Sequence, residues 1–151
     1  MPKTPPIRRI LAVVDGTHSG TRALREAARF AALHGAELAV IAVVDTATLK
    51  SLLRSSVLVE AEMQEFDREL EASAQTNLNY AAELAREAGV TAELVLKKGT
   101  AHALVIDEAR RRDPDLLVMG SFTTSMIKRD LNARTRRLIV DEVKCPILLV
   151  P

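Results

Sequence analysis

Apolar residues along this chain gather into five short blocks, each closed by turn-forming or charged residues. Four blocks are continuous: residues 10–14 end at Asp15-Gly16, residues 38–44 at Asp45, residues 116–119 at Gly120, and residues 147–150 at Pro151. Short aliphatic runs bounded by turn signals predict strands buried on both faces. The fifth block, residues 90–96, alternates instead. Val90, Ala92, Leu94 and Leu96 share one face, with Thr91, Glu93 and Val95 on the other, and Lys97-Lys98-Gly99 ends it. Alternation closed by charge predicts an edge strand guarded against pairing.

Between the strands the period changes. Ala23, Leu24, Ala27, Phe30 and Ala31 fall on one helical face, with Arg22, Arg25, Glu26 and Arg29 opposite. Ser19 is the expected N-cap and Gly35 the expected stop. From Val59 through Met63, Phe66, Leu70, Ala74, Leu78, Ala81, Ala85 and Ala88 the repeat predicts one long helix stopped by Gly89. A coiled coil is the competing reading. It is disfavoured because the stripe turns to alanine and a strand pattern follows at once. Residues 100–112 predict a third helix, ended by Asp113-Pro114. A fourth follows Gly120, with Asn132 as its N-cap. The Ser- and Thr-rich stretch 46–56 reads as a mobile loop. Residues 1–6, with three prolines, read as a loose tail.

Strands alternating with helices predict an α/β fold: an open, doubly wound, five-stranded parallel sheet with helices on both faces, Rossmann-like, in one domain spanning 1–151. Right-handed crossovers and a single reversal give the strand order 3-2-1-4-5. The reversal lies between the first and fourth strands, so the ligand crevice is expected between Asp15 and Gly120.

Composition narrows the function classes. Lys plus Arg number 21 against 20 Asp plus Glu, and aromatics are 3% with no Trp. A nucleic-acid binder would show a basic excess or stacking platforms, so no nucleic-acid partner is expected. The one cysteine, Cys145, builds neither a disulfide framework nor a cysteine zinc site within one chain. No apolar run approaches the roughly 18 residues of a membrane helix, and the N-terminus lacks the core of a signal peptide. The expectation is a cytoplasmic protein without a membrane partner.

Three stretches then carry a resemblance. The opening ILAVVDGTHSGTRAL, the middle VLKKGTAHALVIDEA and the closing pair VMGS and KCPILLVP resemble the universal stress protein family in order and spacing, over essentially the whole chain. The resemblance implies a nucleotide site. Asp15 would contact base or ribose, backbone near Val13 and Val43 would line the base pocket, and Met119 and Gly120 would begin a phosphate loop. That loop follows the pattern Gly, two residues, Gly, nine residues, Gly, then Ser or Thr. Here Gly120 is present and the thirteen-residue spacing to Ala133 is kept. Thr123 replaces the second glycine, Ala133 the third, and Arg134 the hydroxyl residue, with Thr135 following. Such glycines let backbone N–H groups approach phosphate. The implied cofactor is ATP, ADP or AMP with magnesium, and the altered loop predicts that ATP binds weakly or not at all. An ATP- or AMP-dependent sensor is the alternative, with the basic cluster Lys128, Arg129, Arg134, Arg136 and Arg137 replacing the glycines. A slow ATPase ranks last, because no general base is positioned for it.

No catalytic and no metal-binding residue is nominated. Asp15, His18 and Ser19 crowd one turn and do not align as a triad. His34 and His102 lack a third partner. Cys145 before Pro146 reads as a small packing residue. A response regulator would need an acid ending the third strand, where Lys97-Lys98 stands. A pyrophosphatase-type adenylating enzyme would need Ser-Gly-Gly after the first strand. The last strand carries no charge, and an uncharged edge is a template for another chain. Together with the resemblance this predicts a homodimer through Pro146, Ile147, Leu148, Leu149 and Val150, and a non-enzymatic stress-response module.

Overall fold

The computed structural model describes the backbone of residues 6–55, 59–121 and 126–151, and their side chains except at 48, 49, 51, 52 and 126–133. Most of the expected tail, and Thr123, lie outside the described residues. Five strands, β1 (Arg9–Val14), β2 (Glu37–Asp45), β3 (Ala92–Gly99), β4 (Leu116–Gly120) and β5 (Ile147–Val150), form one sheet in the order β3-β2-β1-β4-β5. Every neighbouring pair is parallel. The expected order and the reversal between β1 and β4 are both observed.

Two apolar layers sandwich the sheet. On one face, Ala12, Val14, Val40, Ala42 and Val44 meet α1 (His18–His34) and α3 (Glu60–Glu87). These helices present mainly alanine, including Ala23, Ala27, Ala31, Ala74, Ala81 and Ala85. Small side chains let the helix axes come close to the sheet, so the alanine end of the α3 stripe is its contact with the sheet. On the other face, Leu11, Ile41, Leu117 and Met119 meet α4 (Ala101–Arg112) and α5 (Met126–Glu142) through Val105, Ile106, Ala109 and Ile139.

Three local expectations are corrected. The N-cap of α1 is Thr17, whose hydroxyl accepts from the Gly20 amide, and Ser19 lies inside the first turn, buried. Thr46–Arg54, read as loop from its hydroxyl content, is helix α2. No glycine or proline interrupts it, and Ala47, Lys50 and Arg54 are good helix formers. Finally, α5 starts at Met126, so Asn132 is an interior residue rather than a cap. Between Gly120 and Glu142 the sequence has neither glycine nor proline. With the loop glycines replaced, nothing in this stretch stops a helix from reaching back to Met126.

Charged contacts tie the helices to the β3 edge. Lys98 pairs with Glu71 of α3 at 2.6 Å and with Asp67 at 3.5 Å, so this edge lysine has a second, internal role. Arg112 of α4 grips Glu93 through two bonds of 2.8 and 2.9 Å and reaches Glu108 at 3.2 Å. Glu108 is only 4% exposed and also accepts from Arg111. No helix of the described residues is long and apolar enough to cross a membrane.

Candidate functional site

The β1–β4 reversal puts the ends of two strands side by side. Their register pairs Leu11 with Leu117 and Ala12 with Val118. Past that pair β1 runs on to Val14, with Asp15 next, and β4 runs on to Met119 and Gly120. The sequence-nominated residues Val13, Asp15, Met119 and Gly120 are therefore gathered at one carboxyl end, as the reversal predicts.

On the α1 side the crevice wall is backbone. A Cβ at Gly120 would lie 2.6 Å from Ser19 Oγ and 2.7 Å from both Gly20 N and Ser19 C. The first turn of α1 thus rests directly on the end of β4. Gly120, nominated as the start of a phosphate loop, is required here for packing.

The first turn is wired to Asp15. The Gly20 amide donates to Thr17 Oγ1 at 3.0 Å, and the Thr17 hydroxyl donates to Asp15 Oδ1 at 2.6 Å. The Thr17 amide adds a 3.0 Å bond to the same oxygen. A carboxylate beside a helix N-terminus is favoured by the peptide dipoles there. Both bonds end on Oδ1, and among the described residues none ends on Oδ2. Asp15 is therefore both a brace for α1 and an exposed acceptor at the mouth. Thr17 escaped the sequence reading because Ser19 was the more conspicuous cap. An acid two residues before a threonine, followed by a helical period, was the available signal.

On the α4–α5 side the wall is apolar. Leu11, Ile41 and Leu117 are fully buried, whereas Val13 and Val43, at the carboxyl ends of the same rows, are half-buried. Val13 pairs with Ile41 across β1 and β2, and Val43 lies two residues further along the same face. They pack against the same apolar cluster as Met119, which is itself buried.

The rest of the nominated loop is not gathered there as a loop. Ala133, Arg134 and Thr135 lie within α5, more than a full turn beyond Met126. Backbone N–H groups past the first four of a helix are committed to intrahelical bonds. In this conformation those three amides are not donors for a phosphate. Arg134 and Arg137 are exposed.

Two clefts elsewhere lie at the opposite, amino end of the sheet. One, of about 290 Å³, is lined by Arg9, Glu37, Glu93, Arg111 and Arg112. The other, of about 460 Å³, lies between the C-terminal ends of α4 and α5 beside Cys145 and Pro146. Cys145 is half-buried, and burial pushes its thiol pKa up, which disfavours the nucleophilic thiolate. Among the described residues, no three of His, Cys, Asp and Glu gather as a metal site.

Known proteins agree with this architecture. The sequence model of the universal stress protein family matches residues 6–151. The universal stress protein YxiE of Bacillus subtilis is 26% identical over 147 residues, covering 94% of this chain and 97% of its own. The structure of UspA from Lactobacillus plantarum superposes with a TM-score of 0.79 at 21% identity, covering 98% of this chain and 100% of that one. A universal stress protein in complex with cAMP gives 0.70 at 21% identity, covering 97% and 98% of the two chains. The universal stress protein from Archaeoglobus fulgidus in complex with dAMP gives 0.64 at 17% identity, covering 96% and 98%. At such identities the superpositions speak for the fold.

Proposed function

This chain belongs to the universal stress protein family, and on that premise we propose that it is a non-enzymatic, cytoplasmic, dimeric stress-response module. Its crevice takes an adenine nucleotide with a single phosphate and binds ATP weakly or not at all. The observation that carries this reading is the start of α5 at Met126. Ala133, Arg134 and Thr135 are then helix interior rather than loop, while Asp15, Val13 and Val43 stand at the carboxyl ends of β1 and β2, where this reading puts the base. Two proteins of the same fold are complexes with cAMP and dAMP, each a nucleotide with one phosphate. No magnesium is required by this reading, since a single phosphate needs no metal bridge between phosphates.

The dimer forms at the β5 edge. Ladder bonds run from Leu117 N to Pro146 O and from Ser121 N to Val150 O. They set the phase of β5: Pro146, Leu148 and Val150 direct their backbone groups to β4. Ile147 and Leu149 direct theirs outward. Leu149 is 41% exposed and the strand has no charge, whereas the β3 edge carries Glu93, Lys97 and Lys98. A two-fold pair of β5 strands satisfies the outward groups of both copies.

Mass spectrometry of small molecules released from the purified, denatured protein tests the ligand class. Adenosine monophosphates or no nucleotide are expected, and stoichiometric ATP would contradict the reading.

A further inference from the structure

The apolar stripe that packs α3 on the sheet does not stop where the sheet does. α3 returns from the carboxyl end of β2 to the amino end of β3, so its N-terminus stands at the carboxyl ends of the strands. Its buried residues, Ala74, Leu78, Ala81 and Ala85, all lie in its later half. Lys98, next to the last residue of β3, meets α3 at Asp67 and Glu71. The residues before Asp67 therefore project past the strand ends, by about 10 Å at 1.5 Å per residue back to Glu60. Leu70 still packs against the core. Earlier on the same stripe Phe66 is 41% exposed, Met63 is half-buried, and Val59 is 61% exposed.

The charge around this stripe has one sign. Six of the twelve residues from Glu60 to Glu71 are acidic and only Arg68 is basic, in a chain whose charges otherwise nearly cancel. Lys98 offsets Asp67 and Glu71. Glu62, Glu65 and Glu69 are exposed, and among the described residues none of the three has an ion-pair partner. A single exposed apolar residue is ordinary, but an apolar row on one helix face with a charged rim is what a second helix buries. The sign of the rim selects the partner: it repels nucleic-acid phosphates and anionic lipid surfaces and attracts cations. We propose that the projecting part of α3 is a docking surface for a basic amphipathic helix of a partner protein. The apolar face of that helix covers Val59, Met63 and Phe66, and its lysines or arginines meet Glu62, Glu65 and Glu69. Burial of Phe66 supplies affinity, and the glutamates supply the choice of partner. The surface lies on α3 alone, so the assignment stands apart from the nucleotide reading.

The experiment uses the full chain and a labelled synthetic peptide with leucine and lysine at helical spacing, its scrambled form, and the same pattern with glutamate for lysine. Wild type is compared with Phe66→Ser and with a variant combining Glu62→Gln, Glu65→Gln and Glu69→Gln. The wild type should bind the patterned basic peptide one to one, about tenfold more tightly than the scrambled form. Phe66→Ser and the triple variant should each weaken that binding by about tenfold. Added salt should weaken the wild type more than the triple variant, and the glutamate peptide should not bind. Phe66→Ser should keep the wild-type melting temperature, since the ring is exposed. No binding, equal affinity for the scrambled peptide, or affinity indifferent to Phe66→Ser or to the triple variant would overturn the proposal. A melting temperature lowered by several degrees in Phe66→Ser would assign the ring to the core, which also overturns it. Light scattering tests the other occupant: wild-type assembly beyond a dimer, abolished by Phe66→Ser, would give this face to a second copy and overturn the proposal as well.

Discussion

Gly120 and Ser19 approach so closely that a Cβ on Gly120 would stand 2.6 Å from the Ser19 hydroxyl. The contact joins the end of β4 to the first turn of α1, and both are backbone-rigid elements. Gly120→Ala therefore has no flexible neighbour to displace, because Gly20 N and Ser19 C are each 2.7 Å from the added carbon. Overpacking of this kind should cost about 2–3 kcal/mol, read from the urea midpoint. Gly20→Ala is the informative contrast. Its added carbon meets the Asp15 carboxylate, a side chain that can swing away. That variant should lose less stability while releasing the Asp15–Thr17 bonds.

Glu108 gives the protein an acid-sensitive joint. Burial pushes its carboxyl up, but the bonds and charges of Arg111 and Arg112 outweigh that, so its pKa lies below the ordinary range. Asp115 is lowered too, by the backbone amides of Arg8 and Arg9 at 2.7 and 3.0 Å. A carboxylate whose folded pKa is depressed contributes stability above its unfolded pKa and loses it as pH falls through the folded value. The urea midpoint should thus change little on account of these two groups from neutral pH to about pH 5, then fall below about pH 4. Glu108→Gln should cost about 2 kcal/mol at pH 7, since it leaves Arg112 half-buried with one partner fewer, and should flatten the acid limb. An acid limb identical to wild type would argue against the assignment.

The phase of β5 makes the dimer testable without damaging the core. Leu148 and Val150 pack toward the α1 face, so charges there would disturb the fold as well as an interface. Leu149→Pro removes an outward N–H and leaves the bonds to β4 intact. Light scattering at matched concentration should show a wild-type dimer and a monomeric, folded variant. A wild-type monomer at tens of micromolar, or a variant that stays dimeric, would remove the β5 edge from the account.

How much of this was legible in the sequence depended on what kind of signal each element carries. The continuous runs around Leu11, Val40 and Leu117 gave the strands and, with crossover rules, the sheet order. Asp15 and Gly120 followed from the reversal. Local caps were less legible, because Thr17 and Ser19 are both competent hydroxyl caps and only the Asp15 bond decides between them. The α2 helix was hidden by threonine and serine, whose loop preference is a weak prior that neighbouring helix formers override. The start of α5 was misplaced for an instructive reason: the resemblance supplied a loop length, while the residues themselves lacked the glycines that keep such a loop from becoming helix.

The central claim is that the crevice keeps its base-binding side and has lost its triphosphate loop to α5. Titration calorimetry of one preparation with AMP, with cyclic AMP and with ATP plus magnesium tests it most directly. The account predicts a saturable site for at least one monophosphate and no micromolar isotherm for magnesium-ATP. It also predicts stronger ATP binding once Thr123→Gly, Ala133→Gly and Arg134→Ser are combined. A tight one-to-one isotherm for magnesium-ATP on the wild-type protein would contradict it.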